Sequence, residues 1–238
     1  MSKTEFCLQE TILENYDKKK SKRAYLYWFL ICLSACLLII ALLLHVPARF
    51  TPFKIIGSKK FVSPYLTNEL LPALYNGSQL SGPFDLIVTE DGVNDIIARS
   101  GWPKDFGRLN ISSAMVFFSP GRIELMGAIT LSGVDSVVAV AVCPQIDPQG
   151  LLNLKVAKVS VGAVNITPFA SLIIAEICPA RFSKAAIDGK GIGAEIFASL
   201  LNNKPFNPVF KIGKKKVRLI NLSIKEDKLT ARLLPIAD

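Results

Sequence analysis

From Arg122 to Ser132 the residues sort by a period of two into an aliphatic set and a mixed, more polar one. Ile123, Leu125, Gly127, Ile129 and Leu131 fall on one side, and Arg122, Glu124, Met126, Ala128, Thr130 and Ser132 on the other. A period of two is the signature of a half-buried strand. Before it, "SAMVFFS" (Ser113 to Ser119) reads as a partner strand across a Pro120-Gly121 turn. After it, "VDSVVAVAVCP" (Val134 to Pro144) is apolar on both faces, so something must cover each side. Asp147 to Gly150, "DPQG", has proline after aspartate and glycine last, a turn composition. "LLNLKVAKVSVGAVNIT" (Leu151 to Thr167) then returns as one more strand. Lys155 and Lys158 are three residues apart, so strict alternation cannot place both on one face, and a β-bulge is predicted near Ala157.

Helical signals flank this run. "FDLIV" (Phe84 to Val88) is a short strand, and Thr89 follows it as a hydroxyl cap for Glu90 and Asp91 in a first helical turn. Val93, Ile96 and Ile97 supply the inward stripe, and Asn94, one residue off it, is placed to bond a neighbouring strand or loop. Ser63-Pro64 is a second cap-plus-proline start, leading into "YLTNELLPALY", with Pro72 expected to kink or end the helix and Asn76 to Pro83 to form a loop. Thr167-Pro168 opens "FASLIIAEIC", and Gly191 to Asn203 reads as a further helix, apolar at Ile192, Ile196, Phe197, Leu200 and Leu201. The end is a hairpin, "KKVRLINLSI" and "LTARLLP" about a turn at Lys225 to Lys228. The order predicts an α+β fold: a long antiparallel β-sheet, meander plus C-terminal hairpin, packed on several helices.

One segment belongs to a different solvent. Tyr25 to Val46 is apolar throughout, apart from His45 at its end, and long enough to cross a hydrocarbon core of roughly 30 Å. Lys3, Lys18, Lys19, Lys20, Lys22 and Arg23 precede it, and the basic excess on that side predicts a cytoplasmic N-terminus. Four parts follow: 1–24 a cytoplasmic tail, 25–46 a transmembrane helix, 47–83 a linker with a juxtamembrane helix, and 84–238 an extracytoplasmic domain. The predicted location is the plasma (inner) membrane, single-pass. "LSAC" (Leu33 to Cys36) leaves a rival, a lipoprotein signal acylated at Cys36, although the residues after it stay apolar where such proteins turn polar.

The net charge is +9, and residues 1–24, with six basic and four acidic groups, contribute +2 of it. A basic outer domain is drawn to anionic head groups. No recognition motif accompanies the charge, so nucleic acid is not an expected partner. "KIGKKKVR" gathers Lys211, Lys214, Lys215, Lys216 and Arg218. These residues either contact anionic lipid or an acidic partner, or protect an edge strand.

Enzyme chemistry has little to draw on. His45 is the one histidine and lies at the membrane edge, so the outer domain offers neither a Ser-His-Asp nor a Cys-His arrangement. Cys143 and Cys178 are the two cysteines beyond the span; they either form a disulfide or stay buried thiols. "DGKGIG" (Asp188 to Gly193) has the glycines of a phosphate loop but neither the GK[ST] ending nor a preceding strand. Glu90, Asp91, Asn94 and Asp95 form an acidic cluster that fits a capped helix better than a cation site. Asn76, Asn110, Asn165 and Asn221 head Asn-x-Ser/Thr sequons. A non-catalytic chain without metal or cofactor is expected.

The strand before "VTEDGVNDII", the alternating "RIELMGAITL", the run "VCPQIDPQGLLNLKVAKVSVGAVNITPFASLI" and the final hairpin together resemble bacterial single-pass envelope proteins of the tubular lipid-binding (TULIP-like) kind. The resemblance spans roughly 84–238. It implies a strongly curved sheet around a helix, with an apolar groove for acyl chains. Val93, Ile96, Ile97, Ile129, Leu131, Leu172, Ile173, Ile196 and Leu200 are the residues expected to line that groove. Here the helix after Thr167 is short, and two helices stand in place of one long one. The expected function is binding of a lipid or another hydrophobic ligand. The alternative is a structural subunit of a cell-envelope protein assembly.

Overall fold

Four long strands run back and forth through the middle of the chain, as the alternation predicts. The computed structural model describes residues 25–52, 62–106, 109–131, 133–169 and 192–236. The chain divides into two units, Met1–Leu43 and Leu44–Asp238. In the first, helix α1 (Tyr25–Leu43) has 19 residues and a mean hydropathy of 2.7. At 1.5 Å per residue it is about 28 Å long, enough to span a bilayer core.

The second unit is α+β with two antiparallel sheets, whereas the sequence predicts a single one. A six-stranded sheet runs in chain order: β2 (Lys104–Phe106), β3 (Leu109–Ser119), β4 (Arg122–Leu131), β5 (Val134–Ile146), β6 (Leu152–Val161) and β7 (Val164–Asn165). The C-terminal hairpin does not join it. Strands β9 (Lys215–Lys225) and β10 (Lys228–Ile236) sit between β8 (Val209–Ile212) and β1 (Phe84–Thr89) in a four-stranded sheet ordered β1-β10-β9-β8. Which strand pairs with the hairpin is a long-range choice, and β1 lies more than a hundred residues away from it in sequence.

Local chemistry sets the turns. Gly121 takes φ +70° at the β3–β4 turn, a conformation that glycine adopts without steric cost. At "DPQG" the Asp147 carboxylate accepts from Leu151 N at 2.8 Å while Gly150 N donates to Asp147 O at 2.9 Å. The predicted bulge is present: Ala141 faces Lys158 and Val142 faces Val156, which leaves Ala157 as the extra residue. Lys155 and Lys158 therefore share a face. The strand predicted to run on to Thr167 instead reverses at Gly162-Ala163, where Val161 pairs Val164.

The helices differ from expectation at two places. The first starts as a π-helix at Tyr65–Leu70 and continues as an α-helix, Leu71–Ser78 (together α2). Pro72 does not end it; it stands where the π-helical turns give way to the α-helical part. The helix also takes in Asn76 to Ser78, predicted as loop. Gly77 allows this: a Cβ there would lie 2.2 Å from the Phe84 ring. Helices α3 (Glu90–Ala98) and α4 (Ile192–Asn202) fall where the sequence places them. A short 3-10 turn, Thr167–Phe169, occupies the expected helix start, and the rest of "FASLIIAEIC" lies outside the described residues.

Candidate functional site

The acidic stretch that most resembles an active site is structural. Glu90 accepts from Phe118 N, and the Asn94 amide both donates to Val116 O at 2.9 Å and accepts from Val116 N at 2.7 Å. One helical turn between Glu90 and Asn94 rises about 6 Å, close to the roughly 6.8 Å between alternate strand residues. One face of α3 thus satisfies the β3 backbone groups that point away from β4. The opposite edge has an analogous device: Ser199 of α4, fully buried, accepts from Leu154 N at 2.9 Å. Unpaired strand edges template unwanted association, and covering them with helices removes that hazard.

Asp91 stays exposed, and Thr89 caps α3 by accepting from Gly92 N at 3.2 Å. Asp95 accepts from Ser63 Oγ and, at 2.7 Å, from Arg99 Nε. The same Ser63 hydroxyl accepts from Leu66 N, as expected of a helix cap, so it ties α2 to α3. Burial alone would raise the Asp95 carboxyl, but the Ser63 and Arg99 hydrogen bonds and the guanidinium charge outweigh it and hold it below its ordinary value of 3.8. A depressed carboxylate contributes stability that is present above its unfolded pKa and lost as pH falls through the folded one. The urea-midpoint advantage of the wild type over Asp95→Asn should therefore be full at pH 5 and shrink toward pH 3. An advantage that is constant with pH would refute this role. Among the described residues no group of three or more His, Cys, Asp or Glu is placed to hold a metal ion.

Of the residues expected to line one groove, Val93, Ile97 and Ile196 fall in two clusters that share Val88, Leu222 and Leu229 as packing neighbours. Val93 and Ile97 pack with Val116, Phe118 and Ile224 between α3, β3 and β9. Ile196 belongs to another cluster, with Leu86, Leu152, Phe206 and Leu233. Ile129 is buried on β4, and Ile96 and Leu200 are half-buried on their helices. Leu131 ends β4, paired with Leu109 and Val134. Leu172, Ile173 and Cys178 lie outside the described residues. Cys143 is a free, half-buried thiol on β5, opposite Lys155. Lys211 and Lys214 to Lys216, with Arg218, form an exposed hairpin made by β8 and β9.

What the structure does bring together is a surface that sequence reasoning missed. Met115 and Phe117 of β3, Met126 and Ala128 of β4, and Val137 and Ala139 of β5 form one apolar face of the six-stranded sheet. It is the side of β4 that also carries Arg122, Glu124 and Thr130. Met126 is only 6% exposed, whereas Leu125, on the aliphatic side, is 42% exposed. The signal was available in β5, whose two apolar faces required a cover on each side. The chain segment just after α1 provides part of that cover. Pro47 to Phe50 form a turn, closed by Phe50 N donating to Pro47 O at 2.9 Å, and Phe50 is buried in the cluster. The Arg49 guanidinium stacks 4.8 Å from the centre of the Phe117 ring and 4.0 Å from Glu124. The start of the predicted 47–83 linker is thus docked structure; residues 53–61 are not described. Lys155 and Lys158 stand on this same face beyond Ala141.

A separate cleft of about 480 Å³ lies between the β5–β6 end of the meander and β9. It is lined by Pro144, Ile146, Asp147, Asn153, Asn221 and Leu222 among others. Its mixed lining lacks the apolar walls of a typical ligand pocket. No match to a known protein family, to a characterised protein or to a solved structure was found for this chain.

Proposed function

We propose that this is a membrane-anchored, non-catalytic domain of the cell envelope that takes the hydrophobic part of a lipid onto the apolar face of its six-stranded sheet. In this reading α1 spans the membrane with its basic flank in the cytoplasm, and the sheet face curves around the acyl chain. The supporting observation is the seat of Phe50. An aromatic side chain from the segment leaving the anchor helix occupies a floor that includes Met115 and Met126, side chains flexible enough to repack around a different occupant. A lipid tail displacing Phe50 would meet the apolar side chains of this cluster, and such binding requires no catalytic group.

Photocrosslinking of the full chain in nanodiscs doped with a diazirine-tailed phospholipid tests this. Labelled peptides are expected from 115–126 and 134–143 as well as from α1, with the sheet labels lost in Ala139→Trp. Labelling confined to α1 would overturn the proposal. That outcome would favour a second reading, a structural subunit of an envelope assembly, which is supported by the exposure of Leu125 and Val134 on the meander.

A further inference from the structure

We propose that the outer face of the four-stranded sheet binds the surface of an anionic bilayer. This rests on the anchor reading of α1 but not on lipid uptake by the other sheet.

The register separates the two faces of this sheet. Leu86, Val217, Leu219, Leu222, Ile224, Ala231 and Leu233 point inward. Lys211, Lys216 and Arg218, Lys225 with Lys228, and Arg232 share the outer face, and Asp85, 3.9 Å from Arg232, is the one acidic residue in these strands. Lys211 lies directly opposite Lys216, and Lys225 opposite Lys228. Facing like charges in a sheet cost stability, and an anionic surface laid against this face would offset that cost.

Edge protection explains only part of it. Lys211 on β8 shields an edge strand. But β9 and β10 are interior strands with paired backbones on both sides, so Arg218 and Arg232 protect nothing.

The face is also apolar between its charges. Ile87 is 50% exposed and Ile220 37%. Ile220 owes its position to a bulge: Leu219 pairs Leu233 and Asn221 pairs Arg232, so Ile220 is the extra residue. Leu234 and Ile236 flank it, opposite Arg218 and Lys216. Long basic side chains interleaved with aliphatic ones suit a lipid interface, where stems lie along the apolar layer and the charges reach phosphate. A chain with a membrane anchor brings such a surface close to its occupant. Each basic residue near an anionic surface strengthens attachment about fivefold.

Lysine acetylation footprinting of the full chain in nanodiscs tests the proposal, read by mass spectrometry. In phosphatidylglycerol nanodiscs, Lys211, Lys225 and Lys228 should be modified about fivefold or more slowly than in phosphatidylcholine ones. Lys104, on β2 of the other sheet and on the face away from Met126, serves as the internal control and should not change. The protection should disappear at about 0.5 M salt, where charges are screened within a few ångströms. It should weaken in Arg218→Gln/Arg232→Gln, with the control lysine, stacked on Trp102, reporting that the variant is folded. Equal rates in the two lipids, or equal protection of all four lysines, would overturn the proposal. Protection found only in native membranes would overturn it in favour of an acidic protein partner.

Discussion

Asn94→Ala is expected to lower the stability of the domain by about 3 kcal/mol. The side chain is 4% exposed and holds both the N–H and the C=O of Val116. Alanine leaves those two backbone groups buried without partners, at roughly 1–3 kcal/mol each. The better helix propensity of alanine returns only about 0.6 kcal/mol. For a unit of this size the melting temperature should fall by roughly 6–12 °C, measured by circular dichroism on the full chain in detergent. Asn94→Asp keeps the acceptor for Val116 N–H but turns a second acceptor toward Val116 O, and should be no better. Asp91→Ala, one turn earlier and exposed, should change stability by less than about 0.5 kcal/mol. An Asn94→Ala protein as stable as wild type would show that α3 does not seal the β3 edge.

Gly92→Ala reverses the sign that propensity alone would assign. In a helix interior alanine is favoured over glycine by about 0.9 kcal/mol. Here a Cβ would fall 2.4 Å from Cε1 and Cζ of the Tyr65 ring. The ring has little room to retreat, because its hydroxyl accepts from Thr89 N at 3.0 Å, at the cap of the same helix. Overpacking of this kind typically costs 1–3 kcal/mol, and more when the neighbour is fixed. The expected net loss is about 2 kcal/mol, read as a shift in urea midpoint with the slope unchanged. The partner test is a double-mutant cycle with Tyr65→Ala, in which removing the ring should recover most of the alanine penalty. A stabilised Gly92→Ala would place the Tyr65 contact in error.

Much of this was legible because it is local. The Thr89 cap and the turns at Pro120-Gly121 and at Asp147 to Gly150 each rest on residues within a few positions of one another, and the apolar helix from Tyr25 rests on one continuous run. The bulge at Ala157 was legible too, since two lysines three apart leave a strand few alternatives. The candidate site was far less so. Val93, Ile97 and Ile196 have the periodicity of inward residues, which means only that they meet some core. The structure assigns Val93 and Ile97 to one cluster and Ile196 to another. Met126 looked outward because Glu124 and Thr130 share its side, but burial on a sheet face depends on what lies across it.

The sequence alone determined the period of the long strands, the Ser63 and Thr89 caps, the turns at Pro120-Gly121 and Asp147 to Gly150, the apolar helix from Tyr25 and the absence of a histidine after His45. Those properties depend on backbone sterics, side-chain branching and charge, which act over a turn or two. The tertiary structure decided that the C-terminal hairpin pairs with β1 in a second sheet and that Phe50 fills the Met115–Met126 face. It also decided that Glu90 and Asn94 serve strand β3 and that the basic residues of three strands share one surface. Each of these joins residues far apart in the chain, and the partner is selected by the burial and backbone pairing of the whole fold, which no short window of sequence contains.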